Sequence, residues 1–203
     1  MAEICLRHGV FVVADEIHED FVYPGHHHTV FASLSQEVAD ACAICTAPSK
    51  TFNLVALHNA NIFIANPQAR KAFPRELDAE GFSQPNIMGL VACQATYRHG
   101  ADWLDQLVEY LADNIALMEE TFRRKMPRLR LVNPQGTYLP WVDFSGLGLP
   151  PGERDRRLVQ KARLWLDDGT IFGAAGAGFQ RFNTAVLRPL LRRALRQWEE
   201  ALP

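Results

Sequence analysis

Three charged side chains stand where they could bind or activate a small molecule. Asp15 lies at the end of an apolar run, "VFVVADE", and Lys50 follows a second apolar run, "ACAIC". A deprotonated lysine amine attacks carbonyl carbons, and a carboxylate in a crevice needs a cationic partner. Arg181 lies in "FQRFN" and could grip a carboxylate through two N–H groups. Taken singly, each residue also has an ordinary reading: a turn-capping aspartate, a loop lysine and an exposed arginine.

Other polar side chains accompany these three. His18 follows Asp15 by three residues, and Thr46 and Ser49 precede Lys50 in "TAPSKTFN". Hydroxyl groups at such positions are able to hold a phosphate, whereas His18 taken alone is a loop histidine. The second apolar run therefore leads directly into an amine that is surrounded by small and hydroxyl-bearing residues.

The elements around Asp15 and Lys50 predict an α/β domain. "AEICLRHG" reads as a helix that ends at Gly9, and "VFVVADE", "ACAIC" and "NIFIANP" read as buried strands separated by helical or turn segments. "PQARKAFPRELDAEG" has helical character that we expect Pro74 to interrupt. This order predicts a largely parallel sheet, and such sheets bind ligands at the carboxyl ends of their strands. If the first two strands are neighbours, Asp15 and Lys50 open onto one crevice.

The second half of the chain predicts a long helix and then a smaller α+β domain. The long helix shows apolar residues at three- and four-residue spacing, and Pro127 follows it. Two strands are predicted within "LRLVNPQGTYLPWVDFSGL", an amphipathic helix in "RDRRLVQKARLWLDDG", a strand in "FQRFNTAV" and a final helix. The predicted parts are residues 1–100, the long helix 101–126 and residues 127–203.

The glycines at 173, 176 and 178 form a second motif, "FGAAGAGFQRFN". They precede a predicted strand, whereas a dinucleotide-binding loop follows a strand and opens a helix. We therefore predict a mobile or tightly turned loop that presents Arg181. Further arginines are expected on the solvated face of the final helix: Arg188, Arg192, Arg193 and Arg196.

Composition narrows the classes of function. The chain has 203 residues, 48% of them apolar and 22% charged, and a formal net charge of −2. Neither nucleic acid nor an anionic membrane is an expected partner at this charge. No apolar run reaches the ~20 residues that cross a bilayer, and the opening residues do not resemble a signal peptide. The sequence predicts a cytoplasmic protein.

The cysteines and clustered histidines do not predict a metal site. Cys42 and Cys45 form a C-x-x-C motif, but it lies inside an apolar strand and no second cysteine or histidine pair lies at a fitting distance. We read these residues as buried thiols in a reducing compartment. The run from His26 to His28 follows "YPG", a turn signal, and is expected in a loop.

Four segments together resemble a known family. "VVADEIHEDFVYPG", "TAPSKTFNL", "GTYLPWVDF" and "FGAAGAGFQRFN" look like the fold-type I enzymes that use pyridoxal 5′-phosphate. Within these enzymes the chain is most similar to the cystathionine β-lyase branch of the class I/II aminotransferases. The resemblance covers essentially the whole chain and matches the carboxyl-terminal half of such an enzyme. It implies part of a large, mostly parallel α/β domain that is followed by a small α+β domain.

The resemblance implies a role for each candidate residue. Lys50 would hold the cofactor covalently and move the proton at the substrate Cα, and Asp15 would pair with the pyridine nitrogen. His18 lies where many relatives have a tyrosine that contacts the ring's 3-hydroxyl group. Arg181 would hold the substrate's α-carboxylate. Two further residues are implied as phosphate-side contacts, namely Thr46 and Ser49.

The implied reaction is β-elimination from a sulfur amino acid, which yields a thiol, pyruvate and ammonia. An aminotransferase of the same superfamily is the nearest alternative. A homodimer is also implied, although in the family the amino-terminal half supplies further cofactor contacts and much of the dimer interface. The third hypothesis is therefore a folded, self-associating remnant without catalytic activity, and the sequence leaves open whether this chain is itself an enzyme.

Overall fold

The computed structural model describes residues 1–82 and 84–202, which divide into two compact units, Met1–Gln106 and Leu107–Pro203. The helices are α1 (Ala2–Arg7), α2 (Gln36–Asp40), α3 (Pro48–Thr51), α4 (Pro67–Ala79), α5 (Ile87–His99), α6 (Ala101–Lys125), α7 (Pro151–Arg156) and α8 (Arg188–Ala201). The strands are β1 (Val12–Asp15), β2 (Cys42–Thr46), β3 (Asn61–Ile64), β4 (Arg130–Leu131), β5 (Trp141–Asp143), β6 (Asp167–Asp168) and β7 (Phe179–Arg181). The predicted α/β class is confirmed.

The first unit contains a three-stranded sheet in the order β1-β2-β3. β1 runs parallel to β2, with Val12 opposite Cys42 and Asp15 opposite Cys45. β2 is central and largely buried, as its unbroken apolar run requires. β3 runs antiparallel to β2, with Asn61 opposite Thr46. The sequence predicted all three strands, but the direction of the third differs from the predicted largely parallel arrangement.

Helix α4 begins at a side-chain cap and continues past its internal proline. The Asn66 side-chain oxygen accepts hydrogen bonds from the backbone N–H groups of Gln68 and Ala69, at 2.9 and 3.0 Å. Pro74 lies inside the helix, which runs on to Ala79. The expected interruption at Pro74 was wrong. A proline removes one hydrogen bond of the helix, and helical structure continues on both sides of Pro74 in spite of that loss.

The second unit packs helices against a four-stranded antiparallel sheet in the order β4-β5-β7-β6. Its core surrounds Trp198 of α8, which is fully buried. Phe122, Phe144 and Phe182 place their ring centroids 5.3 to 5.6 Å from the Trp198 ring. Because aromatic side chains bury large areas, this cluster contributes substantially to the stability of the unit.

The amphipathic helix predicted for residues 154–169 is shorter than its pattern suggested. α7 is extended by a π-helical turn, Arg157–Lys161, and helical structure ends at Ala162. Arg163 adopts a left-handed conformation with φ of 56°, and the Leu164 N–H bonds back to the Leu158 carbonyl at 2.9 Å. This is a helix-ending arrangement usually made by glycine, and an arginine at this position therefore did not predict it.

Arg188 is held by helix α6, unlike the solvated arginine that was expected. Its Nε donates to the Asn114 side-chain oxygen at 3.2 Å, and its Nη2 lies 3.2 Å from the Asp113 carboxylate. Asn114 is fully buried and also donates to the carbonyls of Thr184 and Val186. The segment between β7 and α8 is therefore fixed to α6.

Among the helices that the structure describes, none is both long and apolar enough to cross a bilayer.

Candidate active site

The carboxyl ends of β1 and β2 meet at one edge of the first sheet. Asp15 is the last residue of β1 and lies opposite Cys45. The Glu16 N–H donates to the Cys45 carbonyl at 2.9 Å, so the pairing continues one residue beyond β1. Lys50 follows five residues after Cys45, in the short helix α3. The structure thus brings Asp15 and Lys50 to the same edge, as the sequence predicted for neighbouring parallel strands.

Lys50 is an exposed residue on a tightly held turn. Pro48, Ser49 and Thr51, its neighbours in α3, are all buried. The Thr51 hydroxyl donates to the Asp20 carboxylate at 2.7 Å, which ties α3 to the loop after β1. Among the described residues, none forms a hydrogen bond or ion pair with the Lys50 amine. The backbone is therefore fixed while the amine remains available to a ligand.

Asp15 is exposed as well, and its carboxylate is only lightly engaged. Its one hydrogen bond within the described part of the chain comes from the Ile17 N–H, at 3.2 Å. That contact is the local turn that an aspartate forms at the end of a strand. It occupies one oxygen and leaves the second able to accept a proton donor from a ligand.

The loop after β1 is shaped by Glu16, a residue that the sequence reasoning did not select. Glu16 is buried, and its carboxylate accepts the Phe31 N–H at 2.8 Å and bonds His28 Nε2 at 2.7 Å. His28, which the sequence predicted in a loop, is therefore held by the Glu16 carboxylate. His18 lies partly buried in this loop, with its ring centroid 5.8 Å from that of Phe21.

Thr46 and Ser49 are buried, in contrast to Lys50. A hydrogen bond from Thr46 lowers the pKa of the Tyr97 phenol, but burial of the phenol is the larger effect and leaves that pKa raised. Thr46 also lines an open pocket of about 590 Å³ beside β2 and β3. Its hydroxyl thus already has a protein partner, which sequence spacing did not reveal because Tyr97 is remote in the chain.

The C-x-x-C motif lacks the electrostatics of a reactive thiol pair. Burial is the main cause that raises the pKa of Cys42, and the Glu16 carboxylate adds to it. Burial likewise raises the pKa of Cys45, with a further contribution from Asp15. Reactive cysteines need the opposite shift. All four cysteines are free thiols.

Arg181, in the second unit, ends β7 with its guanidinium group already anchored. Its Nε and Nη2 lie 2.9 and 2.6 Å from Oδ2 of Asp167. Its Cζ lies 4.7 Å from the centre of the Phe172 ring. Asp167 was not selected from the sequence because its pairing depends on the register between β6 and β7, and Phe172 was not selected because its contact depends on the fold of the turn Gly169–Phe172.

The glycine-rich segment is a tightly turned loop, which is one of the two forms that the sequence predicted. It forms two short 3₁₀ turns, Gly169–Phe172 and Ala174–Gly176. Gly169 and Gly176 pack backbone to backbone, and a Cβ atom on Gly169 would lie only 2.1 Å from the Gly176 carbonyl oxygen. Neither position tolerates a side chain, so these glycines bring the loop's two ends together. The loop then presents the Phe172 ring beneath Arg181.

The sequence and fold place the chain in a known family. Residues 1–197 match the family described as "Aminotransferase class I and II". The chain belongs to this family.

Individual relatives refine that assignment. The chain is 39% identical to cystathionine β-lyase PatB of Bacillus subtilis and 34% identical to the protein MalY of Escherichia coli, over 100% and 96% of its own length. It spans about half the length of these curated relatives, 52% and 50%. The crystal structure of cystalysin from Treponema denticola, which contains pyridoxal 5′-phosphate, has a TM-score of 0.93 and 33% identity. That match covers 98% of this chain and 51% of cystalysin.

The edge formed by β1 and β2 fits such a cofactor chemically. An exposed primary amine at Lys50 suits an aldehyde, and the lightly engaged carboxylate of Asp15 suits a protonated pyridine nitrogen. Asp15 ends β1, Lys50 lies in α3 directly after β2, and the two strands are fixed to each other by the parallel register. The donor set is therefore appropriate to the group, and the individual assignments remain predictions.

Proposed function

We propose that the chain forms the carboxyl-terminal part of a pyridoxal-phosphate-dependent C–S lyase of the cystathionine β-lyase type. The observation that carries this proposal is the position of Lys50. Its amine is exposed, lacks a partner among the described residues and stands at the sheet edge that also carries Asp15. The names of the relatives PatB and cystalysin support the lyase class and the cofactor.

Four side chains would hold the cofactor beside Lys50. Asp15 would accept the pyridinium N–H, and His18 would contact the 3-hydroxyl group. Thr46 and Ser49 would lie on the phosphate side. When bound, the cofactor supplies an electron sink that stabilises negative charge at the substrate Cα.

The chain's own residues would then divide the reaction between them. Arg181 would hold the α-carboxylate of the amino acid through paired N–H groups. The Lys50 amine would take the proton from Cα. The Cβ–S bond then breaks, and the sulfur leaves with the bonding electrons and is protonated to a thiol. The 2-aminoacrylate that is released hydrolyses in water to pyruvate and ammonia.

The first test is covalent attachment of the cofactor. The purified chain is incubated with pyridoxal 5′-phosphate, reduced with borohydride and digested, and the labelled peptide is identified by mass spectrometry. We expect the label on Lys50 and its loss in Lys50→Ala. Lys71→Ala removes another exposed lysine, in α4, and should label like the unsubstituted chain. A label spread equally over several lysines would contradict the proposal.

The second test is product formation from L-cystathionine. A lyase releases pyruvate without any keto acid, and Lys50→Ala should release none. Specific labelling of Lys50 without pyruvate release would support cofactor binding and contradict lyase activity for this chain. That outcome would favour the hypothesis of a folded remnant.

Amino transfer is the second candidate function, and the description of the matched family favours it. It would use Lys50, Asp15 and Arg181 in the same binding roles. The two reactions differ in their co-substrate, since transfer requires a keto acid and yields a new amino acid. Product analysis with and without 2-oxoglutarate separates them.

We also propose a homodimer in the cytoplasm. The dimer is supported by the resemblance to the family, and the location by the four free thiols, which suit a reducing compartment. Light scattering of the purified chain tests the dimer.

A further inference from the structure

Asp167, Arg181 and Trp141 form a row across three neighbouring strands. Arg181 of β7 lies directly opposite Trp141 of β5 on one side and Asp167 of β6 on the other. Directly opposite residues of antiparallel strands share a face of the sheet, so their side chains are neighbours. The adjacent pair, Asp168 and Gln180, alternates to the other face, where Gln180 is buried.

Asp167 occupies one particular edge of the Arg181 guanidinium. Nε and Nη2 both donate to the same oxygen, Oδ2, and so the edge nearest the side-chain stem is paired. Nη1 has no hydrogen-bond partner among the residues that the structure describes. The outer edge, made of Nη1 and the second Nη2 hydrogen, therefore retains the parallel N–H pair that matches a carboxylate.

Phe172 covers one face of the same group, and it is itself supported. The Phe172 ring lies 4.7 Å from Arg181 Cζ and meets the Trp141 ring edge-on, with centroids 5.3 Å apart. The close packing of Gly169 against Gly176 fixes the loop that carries this ring. A guanidinium held at one edge and on one face has lost most of its freedom to rotate.

We propose that Asp167 and Phe172 are positioning residues, which hold Arg181 so that its outer edge faces the carboxylate of the amino-acid substrate. This inference rests on the proposed function, in which Arg181 binds that carboxylate. It gives the glycine-rich loop a role, namely to carry Phe172. The benefit is preorganisation, because the arginine need not be ordered when the substrate binds.

The negative charge of Asp167 opposes substrate binding, whereas its hydrogen bonds to Arg181 favour it. A carboxylate beside Arg181 repels a second carboxylate and, acting alone, would weaken substrate binding. Asp167→Asn removes the charge but keeps an oxygen that accepts both N–H groups, whereas Asp167→Ala removes both. The two variants therefore distinguish positioning from competition.

The experiment uses propionate as a carboxylate probe. Its binding to the whole chain is measured by NMR of the arginine Nε–H signals. We expect Asp167→Ala to weaken binding by about threefold, the scale of a partly exposed ion pair, and Asp167→Asn to bind at least as tightly as the unsubstituted chain. Phe172→Leu should also weaken binding. The Arg181 Nε–H should exchange faster with solvent in Asp167→Ala.

A matched control exists within the same unit. Arg188 pairs with Asp113 and lies over the Tyr110 ring, with Cζ 4.8 Å from the ring centre. Asp113→Ala removes a comparable acid from a comparable arginine and should leave propionate binding unchanged. A loss in this control equal to the loss in Asp167→Ala would overturn the inference, since the effect would then be general.

The remaining outcomes separate this inference from the proposed function. If Asp167→Ala binds propionate as tightly as the unsubstituted chain or more tightly, Asp167 competes and the positioning role is overturned. If Arg181→Lys also binds unchanged, or the unsubstituted chain does not bind at all, the carboxylate role of Arg181 fails with it. Borohydride labelling of Lys50 in the same variants reports the cofactor site independently.

Discussion

Asp15 lies directly opposite Cys45 in the parallel register of β1 and β2. Cys45 precedes Lys50 by five residues. This one pairing fixes which acid accompanies the lysine. A slip of one residue would turn the Asp15 side chain to the other face of the sheet. The buried β2 strand prevents such a slip, because its register is set by apolar packing.

The first prediction concerns the acid itself. Asp15→Asn should still permit covalent labelling of Lys50 by pyridoxal 5′-phosphate, but with affinity reduced about ten- to a hundredfold, because a charge-assisted hydrogen bond is worth about 1.5–3 kcal/mol. Absorbance titration measures the affinity. Asp78→Asn, an exposed acid in α4, is the control and should bind normally. Unchanged affinity in Asp15→Asn would contradict the assigned role.

The second prediction concerns the turn that carries the lysine. Thr51 is fully buried and donates to Asp20 at 2.7 Å. Thr51→Val removes this donor and leaves the carboxylate without it, so the free energy of unfolding should fall by about 1–3 kcal/mol. Urea denaturation measures the change. Thr51→Ser keeps the hydroxyl and should lose less stability than Thr51→Val. Equal losses in both variants would show that the methyl group matters as much as the hydrogen bond and would contradict this prediction.

Much of the first unit could be predicted from the sequence, because its signals are local. Continuous apolar runs predicted β1 and β2, and their carboxyl ends predicted where Asp15 and Lys50 would lie. The direction of β3 was not predictable, because a short apolar strand has the same pattern whether it pairs parallel or antiparallel. That choice is made by the connection and the packing around it.

The details around Arg181 were beyond sequence reasoning for a different reason. Its contact with Asp167 depends on two short strands adopting one register, and neither strand exceeds three residues. The end of the helix at Ala162 depends on a left-handed arginine, Arg163, which no composition rule indicates. Long-range register and rare backbone conformations are set by tertiary packing.

The third prediction tests the core of the second unit. Trp198→Ala removes a fully buried indole from among three phenylalanine rings and should cost about 3–5 kcal/mol of unfolding free energy. Trp165→Ala is the control, since Trp165 is 88% exposed and should change stability little. Chemical denaturation of the two variants gives the comparison. Similar losses at both positions would contradict the placement of Trp198.

The fourth prediction concerns the buried amide that joins α6 to the segment before α8. Asn114→Ala leaves the carbonyls of Thr184 and Val186 without their donor and Arg188 without one acceptor. Loss of such buried partners should destabilise the unit by about 2–4 kcal/mol. Thermal unfolding reports the change. Asp113→Ala, which removes an exposed partner of Arg188, should cost under about 1 kcal/mol.

The last prediction concerns stability at alkaline pH. Burial raises the pKa of Tyr23 to about 12, whereas the pKa of an unfolded tyrosine is about 10. Above the unfolded pKa the unfolded chain loses this proton while the folded chain keeps it, so the contribution to stability is complete below pH ~10 and is lost as pH rises toward ~12. Phenylalanine does not titrate, so Tyr23→Phe should flatten this part of the profile of unfolding free energy against pH by up to about 3 kcal/mol. Urea unfolding at a series of alkaline pH values measures the slope, and identical slopes for Tyr23→Phe and the unsubstituted chain would contradict the shift.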